Sequence, residues 1–190
     1  MSKRFIDIFA TFFGMIILFP VFIIVAILIK VKMPGPVFFK QERTGRYGKP
    51  FIIYKFRSMR LGHGGNSISV KGENRITPLG AILRKYKIDE LPELWNVFIG
   101  EMSLVGPRPD VPEYMNALEG EERKILELRP GITGPASLKY KNEEELLAEQ
   151  SDPVRYYNEV IWPDKIRINL DYYENRGFVT DMLLILKTVI

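Results

Sequence analysis

Apolar positions along the chain fall into one long unbroken run near the start and several short periodic groups after it. Ile8 to Ile29 holds 22 positions without a charged side chain. As a helix this run measures about 33 Å, close to the ~30 Å hydrocarbon core of a bilayer. Lys3, Arg4 and Asp7 precede it, and Lys30 and Lys32 close it. The run is too long for a cleaved signal peptide, and no small-x-small cleavage pattern follows. The pattern therefore predicts a retained membrane helix over a buried core helix. Pro20 removes a backbone donor and crowds the preceding turn, so a kink is expected there. Both flanks are basic, and a straight span would place one of them outside, against the positive-inside tendency. Two arrangements fit these residues equally: a single pass with a tolerated proline, and a helix that bends at Pro20 and returns to the face it entered.

Pro34-Gly35-Pro36 is a rigid breaker that divides a membrane element at 1–33 from a polar domain at 34–190. Val37-Phe38-Phe39 and Phe51 to Phe56 read as strands around a polar turn region with Gly45 and Gly48, which makes a β-hairpin. Leu61 to Asn74 reads as a flexible loop. Its Gly62-His63-Gly64-Gly65 stretch lacks the Gly-Lys-Ser/Thr ending of a phosphate loop, and His63 reads as solvated. Thr77 and Pro78 supply an N-cap and a first helical position. Leu79, Ile82, Leu83 and Tyr86 continue as an apolar stripe with helical spacing. Ile88 to Pro92 opens a further helix that ends at Gly100, with Asp89 as its N-cap. Leu104 to Pro109 cannot be helical. Pro112 to Leu128 reads as helix, Arg129 to Pro135 as a breaker loop, and Asn142 to Gln150 as a charged helix with Glu143, Glu144 and Glu145 on a solvated face. Val154 to Asn175 reads as a longer helix interrupted near Pro163. Asp181 to Ile190 is a short, very apolar helix that should lie in a membrane interface or cover the core. The sum is an α+β fold, mostly helical, with one small hairpin.

Composition narrows the chemistry. A chain of 190 residues supports one well-cored domain and a small appendage. There is no cysteine, which removes disulfides, thiolate nucleophiles and Cys-based zinc sites. His63 is the one histidine, so a metal would be held by oxygen ligands, which favours Mg²⁺ or Mn²⁺. The net charge of +4 suits anionic partners without choosing among them. No compact basic run or recognised motif points to nucleic acid.

Asp89 and Glu90 are adjacent carboxylates at a predicted helix start. In isolation they read as ordinary helix-capping acids. Pro92 would then occupy the third helical position and offer no N–H to the cap, which frees the carboxylate. An ionised carboxylate can act as a covalent nucleophile, and its neighbour can hold a divalent cation against phosphate oxygens. Arg57, Arg84, Arg108 and Arg129 lie in or beside segments that break regular structure or adjoin the pair, and arginine forks match phosphate. Arg108 is held between Pro107 and Pro109, a corner hard to explain as surface decoration. The competing reading is a membrane-anchored binding or scaffold protein. It accounts for the anchor and the charge, but gives no reason for Pro-Arg-Pro or for the acidic pair.

The run from Ile88 to Val97, followed by Gly100-Glu101-Met102-Ser103-Leu104-Val105-Gly106-Pro107-Arg108-Pro109, closely resembles the bacterial sugar transferases, the monotopic phosphoglycosyl transferases. Tyr54-Lys55-Phe56-Arg57-Ser58-Met59, Arg129 to Gly134, and Asp171-Tyr172-Tyr173 with Asp181 extend the likeness over essentially the whole chain. The resemblance implies a re-entrant N-terminal helix, a compact helical catalytic domain with interfacial amphipathic helices, and a place on the cytoplasmic face of the bacterial inner membrane. It implies that Asp89 attacks the β-phosphate of a UDP-sugar and releases UMP. The phosphosugar held on Asp89 then passes to a polyprenol phosphate, usually undecaprenyl phosphate, to begin a surface glycan. Glu90, with Asp89, is implied to hold Mg²⁺. Lys55, Arg57, Arg84, Pro107, Arg108, Pro109 and Arg129 are implied to bind substrate. Where many relatives carry Ser before the membrane proline, this chain has Phe19. The extra transmembrane helices of larger relatives are not seen, so the chain resembles the minimal catalytic form. The sugar and the oligomeric state, a homodimer among the options, stay open.

Overall fold

The computed structural model describes residues 3–61 and 75–189. Most of the predicted loop, with His63, lies outside the described residues. Helix α1 spans Lys3–Lys32 and continues through Pro20. Thirty residues make it about 45 Å long if straight. Only 11% of its most apolar stretch is buried, so it is not a core helix. Phe13, Ile16, Ile17 and Phe19 stand exposed along its middle.

Both ends of α1 are held by the polar domain. Near the start, Asp7 accepts hydrogen bonds from Ser103 Oγ at 2.9 Å and from the Leu104 N–H at 3.0 Å. Lys3 reaches the Val105 carbonyl at 2.8 Å and Asp181 at 2.7 Å. At the other end, Val25, Ile29 and Met33 share a buried cluster with Phe56 and Leu83. The Arg57 guanidinium donates to the carbonyls of Met33 and Pro34 and ties the helix end to the hairpin.

The hairpin pairs β1 (Phe38–Thr44) with β2 (Pro50–Phe56), antiparallel, from Phe38↔Phe56 to Thr44↔Pro50. It is longer than the apolar pattern indicates. Gln41 to Thr44 belong to the polar turn region read from the sequence, yet a two-stranded ribbon with one solvated face accepts polar residues. Helix α2 (Pro78–Lys85) begins as predicted, with Thr77 Oγ1 accepting from the Gly80 N–H at 2.9 Å. Helix α3 (Glu93–Ile99) packs Val97 against Phe51, Ile53 and Met102. Asn96, fully buried, accepts from the Tyr54 N–H at 3.1 Å and donates to the Ile52 carbonyl at 2.7 Å. It thereby fixes α3 on β2.

Two segments expected to be irregular pair with each other. Strands β3 (Ser103–Val105) and β4 (Gly131–Thr133) form a parallel ladder. Their backbones approach closely at Gly106 and Gly131: a Cβ on Gly131 would fall 2.1 Å from the Gly106 nitrogen. Only glycine allows that approach.

The segment from Pro112 to Leu128 is not one helix. It divides into α4 (Pro112–Asn116) and a 3-10 helix at Gly120–Glu127, with Gly120 at φ 50° between them. Short helices α5 (Pro135–Lys139), α6 (Glu143–Ala148) and α7 (Pro153–Tyr156) follow. Pro163 does not interrupt its helix. A π-helical stretch at Tyr157–Ile161 leads directly into α8 (Trp162–Asn175), and Pro163 sits in the first turn of α8. The wider turn accommodates the proline, whose missing N–H would otherwise leave a gap in the ladder. Helix α9 (Phe178–Val189) buries Leu184 against Val105 and Tyr172, while Phe178, Val179, Leu183 and Leu186 stay exposed. One face covers the core, as expected, and the other is bare and apolar.

Candidate active site

The chain leaves α2 through Lys87, which adopts a left-handed conformation at φ 55°. A single 3-10 turn at Ile88–Glu90 follows, then Pro92 as the N-cap of α3. This corrects the capping argument. Asp89 does not cap α3; it lies in the separate turn ahead of it, closed by the Leu91 N–H on the Ile88 carbonyl at 3.2 Å. Pro92 sits where no intrahelical N–H is needed, so it spoils no cap.

The turn places Asp89 and Glu90 side by side, both buried. Asp89 Oδ1 is enclosed and has no hydrogen-bond partner. Burial and the Glu90 charge raise the Asp89 pKa, while Lys55, Arg84 and Lys87 hold it down. Glu90 is the opposite case. Burial pushes its pKa up, but the charges of Arg108 and Lys55 and the Arg108 hydrogen bond outweigh it and hold the carboxyl well below its usual range. Lys55 Nζ lies 3.0 Å from Glu90 Oε1, and Arg108 Nη2 reaches the same oxygen. The Glu90 charge in turn raises the Arg108 pKa.

A third carboxylate joins them. Glu93, in the first turn of α3, is 1% exposed, and its Oε1 is 3.1 Å from Lys55 Nζ. Burial, with the Glu90 charge, raises its pKa to about 7 against the pull of Lys55. Sequence reasoning missed Glu93, because a Glu following Pro at a helix start looks like an exposed first-turn acid. The separation of three residues from Glu90, one helical turn, was the available signal. Arg43 was also missed; it donates to the Pro109 carbonyl at 3.4 Å and braces the Pro-Arg-Pro corner.

The structure gathers Lys55, Asp89, Glu90 and Arg108 at one place, with the buried Pro107 and Pro109 on either side of Arg108. Arg84 adds its charge near Asp89 and is ion-paired with Glu144. Arg57 is elsewhere, engaged by the carbonyls at the end of α1. Arg129 is at the far end of α3, where its Nε donates to the Gly100 carbonyl at 3.0 Å. Among the described residues, no three acids converge closely enough to cage a cation by themselves.

A carboxylate without a hydrogen-bond partner, flanked by cations, is equipped to meet a phosphate. The family model described as bacterial sugar transferase matches residues 1–190. The chain belongs to the bacterial sugar transferase family. The exopolysaccharide production protein PSS of Rhizobium leguminosarum is a 38% identical member, over 99% of this chain and 93% of its own length. A UDP-glucose:undecaprenyl-phosphate glucose-1-phosphate transferase of Caulobacter vibrioides is 34% identical, over 100% of this chain and 68% of its own. A UDP-N-acetylgalactosamine-undecaprenyl-phosphate N-acetylgalactosaminephosphotransferase of Aeromonas hydrophila is 35% identical, over 98% of this chain and 42% of its own. The motif resemblance read from the sequence is therefore borne out for this bacterial sugar transferase at the level of family.

Proposed function

We propose that this bacterial sugar transferase moves a sugar 1-phosphate from a UDP-sugar to undecaprenyl phosphate through a covalent intermediate on Asp89. The observation that carries this reading is the enclosed, unpartnered Asp89 Oδ1 beside Lys55, Arg84 and Lys87. A carboxylate used for structure would have its hydrogen bonds satisfied.

In the first step an Asp89 carboxylate oxygen forms a bond to the β-phosphorus of the donor. The bond from that phosphorus to the bridging oxygen breaks, and UMP leaves with the electron pair. In the second step an oxygen of the lipid phosphate attacks the same phosphorus. Asp89 departs as carboxylate, and a polyprenyl diphosphate-linked sugar is released. Each displacement is easier than the direct transfer it replaces. Lys55 and Arg108 fix Glu90 in its ionised form, and Arg108 remains partly exposed toward solvent, able to meet donor oxygens.

Asp89 and Glu90 would hold Mg²⁺ together with the substrate. Asp89 and Glu90 provide two adjacent carboxylates, few enough that the remaining ligands would be substrate phosphates and water. When bound, the ion neutralises charge on the phosphate oxygens.

The reading also places the chain at the cytoplasmic face of the bacterial inner membrane, opening a surface glycan. What supports this is α1, apolar and exposed along its middle yet tied at both ends to one domain. A straight crossing would separate those ends by the bilayer thickness. A re-entrant path keeps them on one side and brings the lipid phosphate to the level of Asp89.

The test is a UDP-sugar panel without lipid acceptor. One sugar is expected to give a burst of UMP and a phosphosugar mass on the peptide that holds Asp89. Asp89→Asn is expected to give neither. Full turnover by Asp89→Asn with lipid acceptor would falsify the covalent route.

A further inference from the structure

A cavity of about 360 Å³ lies away from the acidic pair, between the start of α1, the ends of β3, and α9. Arg4 on its wall donates to the carbonyls of Val97 and Phe98, and Arg129 to that of Gly100. These mark the C-terminal end of α3, whereas Glu93 opens its N-terminal end, about 10 Å away along the axis.

The charges around this cavity are unbalanced. Its three acids are already engaged: Asp181 with Lys3 and Tyr172, Asp7 with Ser103 and Leu104, and Glu127 with Tyr173. Arg4, Arg46, Arg129 and Arg176 donate to backbone carbonyls and have no carboxylate ion-pair partner among the described residues. Two of them are also pinned on aromatic faces. The Arg46 guanidinium lies 4.6 Å from the Tyr47 ring centre, and that of Arg176 lies 4.0 Å from the Tyr173 ring. Tyr47 holds a left-handed backbone at φ 60°, a strained conformation for a tyrosine. The Arg129 pKa is lowered by burial and by the neighbouring Arg46 and Arg4, with Asp7 opposing them. The opposite wall is apolar, with Ile6, Phe178, Met182 and Ile185. It continues onto the exposed Phe5 and Phe9 of α1 and Val179 of α9.

We infer that this cavity is a binding site for the head group of an anionic glycerophospholipid, with the acyl chains running along α1 and α9. Fixed guanidinium forks suit a phosphodiester, and the apolar wall suits tails but offers a nucleotide base or ribose few polar partners. The inference rests on the membrane placement of α1. The bound lipid would seal the junction of α1, β3 and α9.

The full chain in detergent is titrated calorimetrically with short-chain phosphatidylglycerol and, separately, with short-chain phosphatidylcholine. Phosphatidylglycerol is expected to bind at one site, about tenfold tighter than phosphatidylcholine. The Arg46→Gln, Arg176→Gln double variant is expected to lose about tenfold in phosphatidylglycerol affinity. Arg176→Gln alone, at an exposed side chain, should lose about threefold and stands in if the double variant does not fold. Equal affinity for the two lipids, or unchanged affinity in the variants, overturns the proposal. Displacement of phosphatidylglycerol by UDP also overturns it and assigns the cavity to nucleotide. No bilayer is needed, so failure of the chain to float with vesicles would count against the membrane reading alone.

Discussion

Arg108 Nη2 closes on Glu90 Oε1 at 2.5 Å, joining the loop after β3 to the turn that carries Asp89. The contact keeps Glu90 charged inside the protein and points one guanidinium edge at the acidic pair. Arg108→Ala leaves that carboxylate with Lys55 alone. UMP release is expected to fall about 100-fold, with Arg108→Lys retaining part of it. Steady-state rates on the active UDP-sugar check this.

Glu93 makes stability depend on pH. Its carboxyl is raised from an ordinary 4.5 to about 7 by burial and the Glu90 charge. Between those values the folded chain holds a proton that the unfolded chain has released. Stability therefore declines as pH rises through this window, and is fullest below it. Glu93→Gln removes the decline. It should stabilise the protein at pH 8 relative to pH 5 by on the order of 2 kcal/mol, read from urea unfolding at both values.

On the proposed covalent route Asp89 sets the acid limit of the reaction. Its protonation would remove the nucleophile, so the UMP burst should fall as pH drops through the raised Asp89 pKa. Lys87 is one of the cations opposing that rise. Lys87→Asn removes the charge while tolerating the left-handed backbone. Its acid limb should move to higher pH, and Lys87→Arg should leave the limb in place. A shift in the opposite direction would discount the electrostatic account.

The docking of α1 depends on Asp7. Asp7→Ala strands the buried Ser103 hydroxyl and the Leu104 N–H. A loss of about 2–4 kcal/mol is expected from two hydrogen bonds to one charged group. Thermal unfolding in detergent measures it, and Asp7→Asn should recover part of the loss.

Gly106 and Gly131 test the parallel ladder. A Cβ on Gly106 would fall 2.3 Å from the Arg129 carbonyl oxygen. Backbone cannot give way as a side chain can, so Gly106→Ala should cost more than about 3 kcal/mol. Gly48→Ala meets no neighbour, but its backbone sits at φ 73°. It should cost only about 1 kcal/mol, the price of that conformation. Expression yield and melting temperature distinguish the two.

Local signals carried much of this structure. The Thr77 cap, the apolar run of α1, the hairpin and the cover formed by α9 each follow from spacing within a few residues. What escaped was set at long range. Nothing near Ser103 or Gly131 announces their pairing, since neither strand exceeds three residues. Glu93 looks like a surface acid until α3 folds against the hairpin and removes its water. Asp7 reads as a flank of the membrane run, because its partners lie 96 and 97 residues away. Among the predicted phosphate-binding arginines, Arg108 was recognisable from its prolines. The engagement of Arg57 by the end of α1 is a tertiary fact with no sequence mark.

The attachments of α1 also fix an order of assembly. Its N-terminal end is held by partners distant in sequence, among them Phe98, Ser103, Leu104, Val105 and Asp181. A chain leaving the ribosome presents the apolar helix long before those partners exist. The start of the helix must therefore wait unmoored until almost the whole sequence has been synthesised. Closure of the fold becomes a late event, and a chain truncated before Asp181 would leave the start of α1 unlocked.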